Sequence, residues 1–408
     1  MSSGLFRYTP LDAATRNIRL LRFKRRRSNG LELSLETYDV GACPGFIALS
    51  YVWGPEDPSH MVDLDGGKFS IRHNLWFLLR RLGHGVLREK YFWIDAICID
   101  QKNPRERGHQ VNLMKDIFST ANLTIAWIGP SNEDSDFVMD HCVNRKHASY
   151  HKLHMAALAA KKLLRRPYFE RVWIVQEVLL SQRLLILCGF KECWWEDLDA
   201  LLYDPRWRHE IDIPDGIDAL FRVRGVHGTG RGLPMELHRL LYDFHSKKCS
   251  DPRDHVYALL GLVTDEDKRG KLQADYTISP QLLYYRTMLY FGDSFSLRSE
   301  PEYAVVVENK LAAALKLDKN LAAAIRETAN NRHERRRIEP HTSVLTDDEF
   351  LVRKSVDIKR LVAPALIAST LGAGLYAGIN SRSRERNIVS PALFAGASLA
   401  TLNVVLRS

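Results

Sequence analysis

Cysteine is scarce in this chain of 408 residues, and no two of its six cysteines form the CxxC pair of a zinc module or a redox motif. The N-terminus is polar and rich in arginine, without a secretory signal. We therefore expect reduced thiols and a cytosolic protein. Cys98 is interpreted as a small buried hydrophobe, because no histidine is placed by the sequence to activate it. The cysteines stand at positions 43, 98, 142, 188, 193 and 249.

Nucleic-acid-binding modules are also missing, since there is no zinc-finger spacing, no aromatic RNA-binding motif and no heptad repeat. The formal net charge of +9 comes partly from basic clusters at residues 24–27 and 335–337, which are interpreted as solvated faces. A DNA-binding regulator therefore rests on net charge alone and ranks last. No acidic residues follow the spacing of a known metal-binding loop, so no metal site is predicted.

The overall composition is that of an ordinary globular protein, with 45% hydrophobic and 26% charged residues. From residue 46 apolar runs of strand length alternate with helical patterns, which predicts an α/β fold with a three-layer, mostly parallel sheet. Hairpins are predicted at 18–38, within an N-terminal region of residues 1–45, and around 65–67. The predicted strands are 46–52, 91–97, 123–128 and 183–188, and the predicted helices are 73–82, 104–119, 134–143, 151–165 and 168–180.

Residues 91–101 are the most informative stretch, with the sequence YFWIDAICIDQ. An apolar run that ends in carboxylates and an amide, directly before a helix, is typical of a buried strand that delivers polar groups to the rim of a sheet. Asn103 suits the N-cap of that helix and Pro104 its first position, while Glu106 is placed to reach back to the cap amide. The pattern gathers Asp95, Asp100, Glu106 and Gln110 near one strand end.

Four sequence blocks resemble the fungal heterokaryon incompatibility (HET) domain: residues 46–54, 91–101, 121–129 and 171–177. A segment at 251–262 looks like one that commonly follows in these proteins. Asp100 departs from the family, which more often has Asn there. The resemblance implies a HET domain at 46–190, a role in self/non-self recognition and programmed cell death, self-association through the HET domain, and an unknown recognition partner.

HET domains are thought to be remotely similar to Toll/interleukin receptor (TIR) domains, which are flavodoxin-like. The NAD-cleaving TIR domains carry a Trp-Cys-x-x-Glu helix with an essential glutamate. Here Trp173 and Glu177 keep that spacing, while Ile174 replaces the Cys. The resemblance implies Glu177 as the catalytic residue, NAD as a substrate and no resident cofactor. It implies a substrate cleft lined by Trp53, Gly54, Asp95, Asp100, Gln110 and Trp173.

A second interpretation needs no chemistry. Glu177 would be a solvent-facing helix carboxylate paired with Arg171 or Arg183, Trp173 a core anchor, and residues 53–55 only a turn. The HET domain would then be a signalling module that assembles with other death effectors. The sequence leaves both interpretations open.

The C-terminal half changes composition twice. Residues 191–300 are predicted to be a mostly helical extension, in which the acids of the motif at 251–254 cap a helix and its arginine clamps a neighbouring loop. A charged helical linker follows at 301–355, and a hydrophobic helical hairpin at 356–408. Residues 361–379 and 388–406 are uncharged and long enough, at about 28 Å each, to span a membrane. We expect a membrane anchor with the HET domain in the cytosol; a buried soluble hairpin is the alternative.

Overall fold

The computed structural model describes residues 4–24, 30–227, 235–263, 272–292 and 300–338. Within these ranges nine strands form one sheet, in the order β5-β4-β2-β1-β6-β3-β7-β8-β9. The strands are β1 Asn17–Phe23, β2 Glu32–Asp39, β3 Phe46–Tyr51, β4 Ser59–Leu64, β5 Gly67–Arg72, β6 Tyr91–Trp93, β7 Leu123–Trp127, β8 Leu184–Cys188 and β9 Lys191–Trp194.

The centre of the sheet is parallel and its flanks are not. Strands β6, β3, β7 and β8 run parallel, and every residue of β3, β7 and β8 is buried, as expected for strands covered on both faces. The β1-β2, β4-β5 and β8-β9 hairpins are antiparallel. The α/β class and both predicted hairpins are confirmed. The sheet as a whole is mixed, because hairpins rather than helical crossovers extend it on both sides.

The helices match most of the predicted spans. Helix α1 has the predicted bounds, and α3, α4 and α5 agree within one residue at each end. The helices are α1 His73–Leu82, α2 Asp95–Cys98, α3 Pro104–Thr120, α4 Glu133–Val143, α5 Tyr150–Leu164, α6 Pro167–Glu170, α7 Ile174–Leu179, α8 Trp195–Leu202, α9 Asp215–His227, α10 Leu237–Phe244, α11 Asp254–Leu260, α12 Pro280–Gly292, α13 Pro301–Ala314 and α14 Lys319–Ile338.

Two predicted elements differ near the strand ends. The strand predicted at 91–97 stops at Trp93, because residues 95–98 turn into the short helix α2. The helix predicted at 168–180 is broken into α6 and α7 by an extended Arg171. The Val172 amide there donates to the Lys248 carbonyl at 2.9 Å, so a partner distant in sequence replaces the helical hydrogen bond.

At the start of α3, the predicted roles of Asn103 and Pro104 are confirmed, but the predicted role of Glu106 is wrong. The Asn103 side chain accepts from the Arg105 and Glu106 amides, and Pro104 is the first helical residue. Glu106 does not reach back to the cap amide. Its carboxylate instead binds the Arg19 guanidinium at 2.6 and 3.1 Å and accepts from the Asp100 amide at 2.7 Å. Both side chains of the Arg19–Glu106 pair are only 4% exposed.

The chain divides into two compact units, with the boundary in the sequence after Lys316. The first contains the sheet, and the described part of the second contains α14. In the described ranges, no helix is long and apolar enough to cross a membrane. The predicted hydrophobic hairpin at 356–408 lies outside the described residues, so the predicted anchor stays a prediction.

Candidate functional site

The candidate site lies at the carboxyl ends of β3 and β6, where open α/β sheets bind ligands. Ser50 is near the end of β3, and Asp95 follows β6 by two residues. Tyr168 is in α6, Arg171 is in the break, and Glu177 is in α7. We call these five residues the Glu177 cluster. The break between α6 and α7 matters here, because it turns Arg171 toward α7 instead of continuing the helix.

Glu177 is buried and fully engaged. It is 4% exposed, and its two carboxylate oxygens receive the Arg171 guanidinium at 3.2 and 3.3 Å. The Ser50 hydroxyl donates to Glu177 and also contacts the Tyr168 hydroxyl at 2.8 Å. The side chain of Arg171 is 18% exposed, so the pair is reached by solvent from the arginine side only. Glu177 is paired as the non-catalytic interpretation expected, but it is not solvent-facing.

Asp95 is the second carboxylate of the cluster. It is half-buried, and its side chain accepts from the Trp53 indole at 2.8 Å. Burial raises the pKa of Asp95 to about 6; the Arg171 charge opposes that shift, and the Glu177 charge adds to it. Burial alone would lower the pKa of Arg171, but Glu177 and Asp95 together raise it. One arginine therefore balances two carboxylates.

The turn after β3 completes the rim. Gly54 has φ +75°, a backbone conformation that side-chain-bearing residues rarely adopt. Its carbonyl accepts from Arg72 at 2.6 Å, and the Arg72 guanidinium lies 5.3 Å from the centre of the Trp53 ring. Tyr51 is 2% exposed, and its hydroxyl has no hydrogen bond of normal geometry among the described residues, although burial and the nearby Asp95 charge raise its pKa. The rim therefore contains a buried hydroxyl without a hydrogen-bond partner among the described residues.

Trp173 points away from the Glu177 carboxylate. Its indole donates to Asp254 at 3.1 Å, and the Tyr276 hydroxyl donates to the same carboxyl group at 2.6 Å. Burial raises the pKa of Asp254 to about 6. Arg253 donates to the carbonyls of Tyr276 and Ile278 at 2.9 and 2.6 Å, which confirms the predicted loop clamp. Trp173 thus joins α7 to the motif at 251–254.

Two further predicted site residues have other partners. Asp100 accepts from the Lys102 amide at 3.1 Å and contributes its own amide to Glu106. Gln110 is fully buried and donates to the Asn17 carbonyl at 2.8 Å, at the start of β1. The structure therefore brings Trp53, Gly54, Asp95 and Glu177 to one rim. Asp100 instead bonds to Lys102 and Glu106, and Gln110 bonds to the start of β1. Their substrate-binding role stays a prediction.

The arrangement can stabilise positive charge and hold hydroxyl groups. Two carboxylates near one another in a poorly hydrated site are suited to a developing cation, and the indole and the tyrosine hydroxyl supply apolar and polar contacts. No group of three or more His, Cys, Asp or Glu side chains in the described ranges could hold a metal ion. The side chains that the Glu177 cluster presents are two carboxylates, two hydroxyls and an arginine.

Sequence reasoning missed Ser50 and Tyr168. Ser50 is a polar residue inside an otherwise apolar strand, and a buried hydroxyl in such a run is a usable signal that it has a fixed partner. Tyr168 carries no such signal, because its role depends on the break after α6. Arg171 had been considered only as a surface partner of Glu177.

Residues 46–177 match the family model described as heterokaryon incompatibility protein (HET), from the first residue of β3 to Glu177 itself. The chain is also similar to heterokaryon incompatibility protein 6, OR allele, of Neurospora crassa, with 26% identity over 332 residues covering 62% of this chain and 48% of that protein. It thus spans about half the length of the curated relative it matches. No solved structure matches it. The segment from β3 through the strand-end motif to Glu177 therefore matches the HET family, and the chain is similar to a fungal heterokaryon incompatibility protein.

Proposed function

We propose that this chain acts in heterokaryon incompatibility, that its HET domain triggers cell death, and that the Glu177 cluster cleaves NAD. The observation that carries the chemistry is that Arg171 forms an ion pair with Glu177 and also feels the charge of Asp95, at the carboxyl ends of β3 and β6. The name of the Neurospora relative supports the biological role. The spacing of Trp173 and Glu177 supports NAD as the substrate.

In the proposed reaction the bond between nicotinamide and ribose breaks, and its electron pair leaves with nicotinamide. A water oxygen then bonds to the ribose carbon and releases a proton. The ribose carries positive charge between these events, and the Glu177 carboxylate stabilises it. Because Ser50 and Arg171 occupy Glu177, the ribose hydroxyls must take the place of one of them. The charge of Asp95 still stabilises the Arg171 guanidinium when that exchange occurs.

Purified wild-type protein is expected to release nicotinamide from NAD, and Asp95→Asn is expected to slow the release at least about tenfold. The fold should survive, with a melting temperature at neutral pH within about 4 °C of wild type, because Asn removes a charge that burial disfavours. Liquid chromatography of nicotinamide and thermal melting measure the two effects. Asp116→Asn is the matched control, since the Asp116 carboxylate is partly exposed and forms an ion pair with Arg16 at 3.1 Å.

The same variant has a pH signature. The folded-state pKa of Asp95 is raised from 3.8 to about 6, so its contribution to stability is present below pH 4 and is lost as the pH rises through about 6. The free energy of unfolding of wild type relative to Asp95→Asn should fall across that window. Folded wild type that releases no nicotinamide would contradict the catalytic proposal.

Assembly without catalysis is the second candidate. It is favoured by the Glu177 carboxylate, which is already satisfied by Ser50 and Arg171 and has no free side in the described structure. Under this proposal the Glu177 cluster holds β3, α6 and α7 together so that the HET domain can self-associate or recruit an effector. Under this proposal the folded wild-type protein does not cleave NAD. Light scattering should then show that its average molecular mass rises with protein concentration.

We further propose that residues 361–379 and 388–406 anchor the chain in a membrane, because each is an uncharged 19-residue stretch. Full-length protein is expected to stay in the pellet after carbonate extraction, while a version ending at Arg353 is released. Recovery of the full-length chain in the soluble fraction would rule the anchor out.

A further inference from the structure

We propose that Lys247 is a positioning residue for the Glu177 cluster, and that its buried side-chain amino group holds the segment that presents Arg171. That segment, residues 169–172, is here called the Arg171 arm. Lys247 lies between α10 and α11, beyond the segment that matches the HET family. It is 5% exposed, which is rare for a lysine without a buried acidic partner.

The Arg171 arm is held by its neighbours in space rather than by a helix. The Lys247 amino group donates to the Phe169 carbonyl at 2.6 Å, at the point where α6 ends. The Lys248 amide donates to the Glu170 carbonyl at 2.6 Å, and the Val172 amide donates to the Lys248 carbonyl at 2.9 Å. Three consecutive links therefore fix the arm on either side of Arg171.

Only one of these links comes from a side chain, and that side chain can change its charge. Burial lowers the pKa of Lys247 to about 7, and the Glu170 carboxylate opposes the shift. Glu170 is itself bound by the exposed Lys248 side chain at 3.0 Å. On the other side the α9 residue Gly216 packs against the lysine stem: a methyl group there would lie 3.3 Å from its Cε atom. The Lys247 amino group therefore changes from its charged to its uncharged form near neutral pH.

The charge on Lys247 matters because a charged donor binds a carbonyl more strongly than a neutral amine does. When the proton leaves, the Phe169 carbonyl at the end of α6 loses its charged donor, and Arg171 can then shift relative to Asp95 and Glu177. A displacement of about 1 Å at such a site is enough to cost up to about a hundredfold in rate. Activity of the Glu177 cluster should accordingly fall as the pH rises through about 7.

Lys247→Met is the direct test, with Lys248→Met as the matched control because Lys248 is adjacent but has an exposed side chain. At about pH 6, Lys247→Met should lower nicotinamide release at least about tenfold, abolish the fall in activity around pH 7, and speed amide hydrogen exchange in the Arg171 arm. Lys248→Met should change each of these less than about twofold. Wild-type exchange and an unchanged pH profile in Lys247→Met would overturn the proposal.

The activity readout rests on the proposed function, but the exchange readout does not. If wild type cleaves no NAD, slower exchange of the Val172 amide in wild type than in Lys247→Met still supports the positioning role, and equal exchange still overturns it. If Lys247→Met does not fold, wild-type protection of Val172 is compared at about pH 6 and about pH 8, after correction for the intrinsic rate. Loss of protection at the higher pH supports the proposal, and constant protection overturns it.

Discussion

Glu177→Ala is expected to abolish growth arrest on overexpression and also to lower the stability of the folded protein. The substitution removes the carboxylate that would stabilise the ribose cation, and it leaves the Arg171 guanidinium with Asp95 as its only acidic partner in the Glu177 cluster. Breaking a buried ion pair in this way costs about 3–5 kcal/mol, which lowers the melting temperature on the order of 10 °C. Loss of growth arrest in this variant alone would therefore not distinguish catalysis from packing.

The double variant Arg171→Gln with Glu177→Gln separates the two. Replacing both partners of a buried pair by neutral groups of similar shape is far less costly than removing one, so the melting temperature should return most of the way to wild type. Asp95 can take up a proton in place of its lost arginine, because burial already raises its pKa to about 6. If Glu177 reacts with substrate, the stable double variant stays inactive. Growth arrest restored by the double variant would make the pair structural.

Glu106→Ala is expected to be the most destabilising change far from the proposed chemistry. The Arg19 guanidinium is buried and donates to Glu106, to the Cys98 carbonyl at 2.8 Å and to the Thr9 carbonyl at 2.8 Å. Without its carboxylate partner this charge is uncompensated, and the free energy of unfolding should fall by about 3–5 kcal/mol. Chemical denaturation of the purified variant measures the loss.

Asp116→Ala is the matched control, because it breaks an ion pair with Arg16 whose side chains are 55% and 38% exposed, and such pairs contribute about 0–1 kcal/mol.

Acid should lower the free energy of unfolding of the wild type, as Glu106→Ala does. Burial opposes the charge on Glu106, but the Arg19 hydrogen bonds and the Asp100 amide lower its pKa below 4.5. The stability it provides is present above pH 4.5 and is lost as the pH falls through the lower folded-state value. Equal losses in Glu106→Ala and Asp116→Ala would show that burial gives the Arg19–Glu106 pair no special weight.

Local patterns predicted the parts of the site that depend on strand ends. The fully buried β3 and β7 and the capped start of α3 have signals within a few residues, and Trp53, Gly54 and Asp95 lie at one rim in the structure. Side-chain partners distant in sequence were not predictable. Glu106 matched a capping-box spacing, but a buried arginine 87 residues away binds it more strongly.

The directions in which the side chains of α7 point were also not predictable from the sequence. Trp173 and Glu177 are four residues apart and were predicted to line one cleft. The Trp173 indole instead donates to Asp254, 81 residues later, while the Glu177 carboxylate accepts from Ser50. The break between α6 and α7 decides this, since it rotates the residues before Ile174 away from a continuous helical face. That break is stabilised by Lys247 and Lys248, which no helical pattern near residue 170 could indicate.

The hydrogen bond between Trp173 and Asp254 also bears on how such proteins can recombine. The segment that matches the HET family ends at Glu177, but the residues that hold its last part in place lie beyond it: Lys247, Lys248, Asp254 and Tyr276. A genetic exchange that transplanted residues 46–177 alone would leave Trp173 without Asp254 and the Arg171 arm without Lys247 and Lys248, although Ser50 and Arg171 would stay with Glu177. The structural unit that holds this segment is therefore longer than the segment that matches the family, and we expect a transplanted segment to keep its fold only where both regions move together.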